Sequence, residues 1–303
     1  KGIVLSNGIN PEYGKRDAYR MALAVIDEAI RNAVAVGADP ERIAILDNFC
    51  WGDPTRPETM GALLEAARGC HDGALLFGAP FISGKDSLNN EYLGADGQRH
   101  SIPPTLLISA LGIIDDVAKA VTMDLKEAGN EIYLVGKFQP VFGGSHFSVT
   151  PALAPDASVA SERWSSSPVQ VGAYRDQASE AIPSLNEITP KVYKALHRAI
   201  ITGLIRSAHD LSEGGLAVAA AEMCIGGRLG LDLTIEPSSR NLFGETTGCL
   251  LVEVHPEKIP QLEAAFNNLP LKKLGQVTTN PILQLNAISL PVSDLTQAFN
   301  APL

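Results

Sequence analysis

GAPFISGKDSLNNEY, residues 78–92, sets two glycines and a Lys-Asp pair around a short apolar run. A phosphate-binding loop has the form G-x-x-x-x-G-K-[ST], because the chain must wrap the phosphates before a helix opens its N–H groups toward them. Here Gly78 and Gly84 are one residue too far apart, and Asp86 stands where the metal-binding hydroxyl should be. The context is reversed as well. Residues 57–77 read as a helix that stops at Gly78, residues 81–83 as a short strand, and the residues beyond 83 as a polar loop rich in Asn and Gly. This is a strand running into a loop, not a P-loop.

Working outward, RIAILDNFC (42–50) reads as a strand with Asp47 near its C-terminal end, and a Trp-Gly-Asp-Pro turn leads into the helix begun by Pro57. Upstream, residues 2–6 read as a strand. Asp17 caps a helix over 18–36, with Ala22, Val25, Ala29, Ala33 and Val36 at helical spacing and Gly37 as its stop. Downstream, a loop through Asp96-Gly97 and Pro103-Pro104 precedes the strand TLLISALGII. Strand and helix alternate, which predicts an α/β layer fold.

Past about residue 123 the order restarts. EIYLVG reads as a strand, 143–145 as a tight exposed turn, and the Ala-, Ser- and Pro-rich stretch 150–185 as an irregular excursion. A helix is expected over 191–205. The polar loop HDLSEGG then feeds a small-residue helix, TGCLLVEV is a strand, and HPEKIPQLEAAF is a helix. Short strands and a last helix close the chain. A boundary near 120–128 predicts two α/β domains, 1–124 and 125–303. No repeat of solenoid period is present.

Composition narrows the function classes. The 303 residues are 45% hydrophobic and 19% charged, which is globular, and the net charge of -10 comes without any Lys/Arg run. No nucleic-acid partner is expected, and a phosphorylated substrate would need local cationic or metal sites. With no apolar run of membrane-spanning length and no signal peptide, no membrane association and a cytoplasmic location are expected. The four cysteines lack C-x-x-C spacing and read as thiols, and the six histidines form no H-x-x-x-H pair, so no zinc site is indicated. KGIVLSNG opens on an apolar strand without methionine, which suggests a piece of a longer protein.

Three constellations carry candidate chemistry. Glu28 and Asn32, four apart on a helix, offer hard oxygen ligands on one face, suited to magnesium, although such pairs also occur on plain solvated faces. Asp47 at a strand end is either a ligand position or an ordinary turn former. In HDLSEGGL (209–216), two acids, a hydroxyl and two glycines lie where backbone N–H groups open a helix, a cradle for an anion or metal–phosphate. The plain alternative is a capping turn at Ser212–Glu213. His209, Asp210 and Ser212 are too close in sequence for a catalytic triad, and no G-x-S-x-G elbow exists. Gly143–His146 reads as a plain loop and His197 as a surface or packed side chain.

In order along the chain, NPEYGKRDAY, AVIDEAIRNAVAVGADP, ILDNFCWGDPTRPE, PFISGKDSLNNEY, IPPTLLISALG, HDLSEGGLAVAAAEM and LFGETTGCLLVEV together resemble the second half of the phosphoribosylformylglycinamidine synthase family, within the aminoimidazole ribonucleotide synthetase superfamily. The resemblance implies an N-terminal α/β domain whose sheet pairs with a second copy as a half-barrel, then a C-terminal α/β domain. It implies ATP contacts at Asp47 and Gly84 and a substrate contact at Ser87. Lys85 falls where the family has a metal-binding asparagine, so a lysine would meet phosphate directly there. Glu28, Asn32 and Asp210 resemble magnesium ligands, and Ser212 a nucleotide contact, of a second-half nucleotide site that is structural in the large form. The family's catalytic histidines belong to the first half, so none is assigned, and His100 has no matching motif.

The implied reaction is ATP-dependent conversion of formylglycinamide ribonucleotide to the amidine, with ammonia from a separate glutaminase and with the first half, or a second copy, as partner. A non-catalytic magnesium–nucleotide module and a homodimeric enzyme like aminoimidazole ribonucleotide synthetase are the alternatives.

Overall fold

The computed structural model describes residues 1–149 and 181–301. Two sheets carry the architecture. The first has the order β1(Gly2–Ile9), β6(Thr105–Ile114), β2(Ile43–Cys50), β3(Phe81–Ser87). It is antiparallel except for β2–β3, which run parallel because the helix α3(Pro57–Phe77) connects them. After the short helix α1(Pro11–Gly14), helix α2(Ala18–Ala35) packs with α3 on one face of this sheet. Asp17 accepts the Arg20 N–H at the N-cap of α2, and Gly78, at φ 66°, ends α3 in the left-handed conformation that glycine adopts freely.

The second sheet has seven strands in the order β13(Ile288–Pro291), β12(Ile282–Leu285), β9(Gly230–Leu233), β11(Leu271–Thr278), β7(Glu131–Val135), β10(Leu250–Val254), β8(Ile205–Asp210). Its two faces serve two cores. Tyr133, Val135, Leu250 and Val252 face a cluster shared with α2 and with α5(Thr189–Ile201). Their neighbours Ile132, Leu134 and Leu251 face a second cluster with α6(Gly215–Gly227) and α9(Val292–Phe299). Alternation along a strand sends successive side chains to opposite faces, so a near-continuous apolar run such as LLVEV belongs in a sheet covered on both sides. Among the described residues the other α-helices are α4(His146–Val149), α7(Ser239–Phe243) and α8(Ile259–Ala265).

Among the described residues, the first sheet is covered on one face only. Burial alternates along β6, while Ile3 and Leu5 of β1 are 67% and 75% exposed. Register places Leu5, Leu111 and Ala44 in one row of this open face, and Asn7, Ser109, Leu46 and Ser83 in the next.

Several expectations need correcting. Strand β3 does not end at residue 83 but continues through Gly84–Ser87, because its ladder with β2 outweighs the turn character of Gly-Lys-Asp-Ser. The loop beyond it contains a hairpin, β4(Glu91–Leu93) with β5(Arg99–Ser101). Gly143, Gly144 and Ser145 are buried rather than exposed. The helix expected to reach 205 ends at Ile201, and Ile205–Asp210, expected to lie at a helix end and in a polar loop, form edge strand β8. The expected irregular excursion lies outside the described residues up to 180.

Candidate functional site

Helix α2 forms one wall of a recess where the two sheets meet. Ala24, Val25, Glu28 and Arg31 come from α2, Asn10 and Tyr13 from the turn and helix before it, and Ser212, Glu213, Glu245, Thr246 and Thr247 from the second half. Small residues allow the approach. A Cβ at Gly8 would lie 2.1 Å from the Val25 carbonyl oxygen, so β1 meets α2 backbone to backbone. Glu28 accepts the Ile9 N–H at 3.0 Å, which fixes it at the end of β1. Burial raises the Glu28 pKa to about 8; Arg31 opposes this, and the nearby acid Glu213 adds to it.

Beneath the recess lies a buried ion network that joins the halves. Arg31 pairs with Asp27 one turn back and reaches Asp210 at the end of β8 with Nε and Nη2, each at 3.3 Å. Asp27 also accepts the Tyr193 hydroxyl at 2.5 Å and the Gly248 N–H at 2.9 Å. Burial works against charge on both carboxylates. For Asp27 burial prevails and its pKa is raised. For Asp210, hydrogen bonding from His209 and the charge of Arg31 outweigh burial and hold it low. His209, whose burial alone would lower its pKa, is instead lifted to about 9 by Asp210 and by Glu222, 2.7 Å from its Nε2. Tyr13 donates to buried Glu245, which also accepts the His146 N–H at 2.9 Å.

The loop before α6 explains its glycines structurally. Gly214 and Gly215 have φ 76° and 63°, and a Cβ on Gly215 would sit 2.4 Å from the Gly244 carbonyl oxygen. Ser212 is not the cap of α6, whose N-cap is Gly214 without a side-chain bond, and its side chain lines the recess.

The remaining predicted residues lie elsewhere. Asp47 and Gly84 face each other across β2–β3, and a Cβ at Gly84 would fall 1.9 Å from Asp47 Oδ1, so this contact requires glycine. Burial, then the Asp86 charge, raises the Asp47 pKa. Lys85 and Ser87 pair in register with Asn48 and Cys50, which puts them on the opposite, open face of the sheet. Neither Asp47 nor Gly84 lines the recess. The structure therefore brings Glu28, Asp210 and Ser212 to one place and Asp47 with Gly84 to another.

Asn32, one turn beyond Glu28, donates to the Asn7 carbonyl at 3.5 Å. Among the described residues no three His, Cys, Asp or Glu side chains are already arranged as a metal cage. The recess itself is acidic: among the described residues Glu28, Glu213 and Glu245 line it with Arg31 as the one basic side chain, and Ser212, Thr246 and Thr247 add neutral oxygens of the kind a hard cation takes.

Arg31, Asp27, Tyr13 and Glu245 were not singled out from the sequence. The available signal was the Asp27–Arg31 pair at i,i+4 inside an otherwise apolar helix stripe, where a charge needs a distant partner. His197, half-buried, places Nδ1 3.1 Å from the Gly37 carbonyl oxygen, and His100 contacts Asp96 in the exposed hairpin.

Residues 1–114 match the family model described as AIR synthase related protein, N-terminal domain, and residues 127–287 match the C-terminal domain of the same description. A phosphoribosylformylglycinamidine synthase subunit PurL from Anaeromyxobacter dehalogenans is 32% identical, over 99% of this chain and 38% of its own length. The PurL subunit from Gloeobacter violaceus is 35% identical, over 84% of this chain and 30% of its own length. The chain thus spans about a third of the length of the curated relatives it matches. Among solved structures, Thermotoga maritima PurL complexed with FGAR is similar with TM-score 0.73 at 19% identity, covering 99% of this chain and 46% of that one. A chain of a HypE–HypF complex is similar with TM-score 0.64 at 13% identity, covering 94% and 87%.

Proposed function

Because the chain belongs to the AIR synthase related family, matched in both its N-terminal and C-terminal domains, we propose that it is one half of an ATP-dependent ligase that turns formylglycinamide ribonucleotide into its amidine in purine biosynthesis. What carries this reading is the alignment of nearly the whole chain with one stretch of PurL subunits. The proposed location is cytoplasmic; among the described residues no helix is long and apolar enough to cross a membrane.

The chemistry sets what the cleft must do. An amide oxygen is a poor leaving group, so ATP phosphorylates it and releases ADP; ammonia then attacks the activated carbon and phosphate departs. Catalysis of such transfers is chiefly positioning and charge stabilisation. In this reading Asp47 and Gly84 meet ATP on the helix-facing side of β2–β3, and Lys85 meets phosphate from the open face. Since β3 is the edge strand, a nucleotide wrapped around that edge touches both. Ser87 contacts the ribonucleotide substrate.

Glu28 in the recess, with Asn32 one turn along α2 and Asp210 in the network beneath, would hold magnesium, and Ser212 would meet the nucleotide. Magnesium there would add positive charge beside Arg31 against the recess's three glutamates. The proposed partners are the first half of the synthase or a second copy on the open sheet face, and a separate glutaminase that releases ammonia.

A second reading is that the chain holds magnesium–nucleotide without turnover, favoured by the acidic recess lying apart from the β2–β3 edge. One assay separates the two. The chain, alone and mixed with the first half of a PurL subunit, is incubated with ATP, formylglycinamide ribonucleotide and ammonium. Phosphate and amidine release that requires the mixture supports the ligase half; nucleotide binding with no turnover in either case supports the holding module.

A further inference from the structure

Helix α5 turns Val192, Tyr193, Leu196, Ala199 and Ile200 into the core, which leaves Lys191, Lys194 and Arg198 along the outer face. With Ala195 and, from α8 and the turn after it, Ala265 and Leu269, they line a cleft of about 330 Å³. Among the described residues no carboxylate lines it, although the chain holds 34 acidic against 24 basic residues. Lys194 pairs with Glu41 at 2.7 Å, but both side chains are exposed, so water screens the pair. Among the described residues Lys191 and Arg198 have no carboxylate at ion-pair distance. Three cations of one sign on a helix face repel one another, and here an apolar floor lies beside them.

We infer that this cleft binds a phosphate monoester, its head group held by Lys191, Lys194 and Arg198 and its apolar or planar remainder laid on Ala195, Ala265 and Leu269. The volume lies in the range of small-molecule sites. Arg198 supplies a planar fork that can take two phosphate oxygens at once, and the lysines supply mobile point charges over the seven-residue span, roughly 10 Å of helix. An acidic helix as occupant is disfavoured by size, since a helix with its side chains is about 10–12 Å across. The site is separate from the proposed ligase residues, none of which lines it.

Titration calorimetry of the full chain with AMP, ribose 5-phosphate and inorganic phosphate tests this. Binding of either ester more tightly than inorganic phosphate is expected, and which ester wins tells a base-bearing ligand from a sugar phosphate. Lys191→Glu and Arg198→Glu, both at exposed positions, should each weaken it roughly tenfold while leaving the circular dichroism and melting temperature unchanged. Ala265→Trp should block the ester more than inorganic phosphate, and Asp47→Asn should leave the site intact. Equal affinity in the wild type and the two charge-reversed variants, or no ester binding at all, overturns the inference without touching the ligase reading.

Discussion

Arg31 is a guanidinium sealed between two carboxylates from different halves of the chain. Replacing it by methionine leaves Asp27 and Asp210 buried without their counter-charge, a change that costs about 3–5 kcal/mol in comparable pairs. Urea denaturation of Arg31→Met should therefore show a lower midpoint with little change in slope. Arg31→Lys should recover only part of the loss, because an ammonium cannot reproduce the guanidinium's contacts with both acids.

Glu28 makes a pH prediction. Its carboxyl titrates near 8 when folded against about 4.5 for the ordinary side chain. Between those values the folded state holds a proton that the unfolded state has lost, so this contribution to stability is full below about 4.5 and fades as pH rises through 8. The melting temperature should fall across that window, less steeply in Glu28→Gln. Magnesium, if it binds there, should flatten the fall by favouring the ionised form. A slope identical in the wild type and Glu28→Gln would place the titration elsewhere.

At the scale of single elements, helix α2 and strand β6 were legible in the sequence because their signals are local: a capping Asp, a 3.6-residue apolar stripe, a two-residue alternation. Strand β8 and the far end of β3 were not, since polar residues such as His209, Asp210 and Lys85 become strand only by pairing with β10 and β2. The same divide runs through the site. Glu28 and Ser212 stand in family-like motifs and line one recess, with Asp210 beneath it, yet the Arg31–Asp210 contact spans 179 residues and no local pattern announces it.

Strand β1 gives the prediction at this scale. Its outward Leu5 sits in an open apolar row with Leu111 and Ala44, so the chain should self-associate in sedimentation at micromolar concentration. Leu5→Lys should weaken that association and leave the monomer's stability nearly unchanged, because the side chain is already in water. A monomer at all concentrations would rule out this face as a pairing surface for a second copy.

In the whole molecule, the two sheets share one apolar cluster that runs from Ile26 and Ala29 of α2 through Leu196 of α5 to Val252 of β10. A core continuous across both halves should melt as one unit. Calorimetry of the full chain should give a single transition whose van't Hoff and calorimetric enthalpies agree; two resolved transitions would mean that the halves fold independently.

Gly8 and Gly69 add a mechanical consequence. A Cβ on Gly69 would come 2.5 Å from the Tyr19 carbonyl oxygen, as one on Gly8 would come 2.1 Å from that of Val25, so α2 is gripped along its spine from two sides. A rod clamped in this way is the fixed jaw of the clamp. The opposite jaw is held as closely, since a Cβ on Gly215 would sit 2.4 Å from the Gly244 carbonyl oxygen, so alanine at Gly8, Gly69 or Gly215 should each push backbones apart and lower the melting temperature.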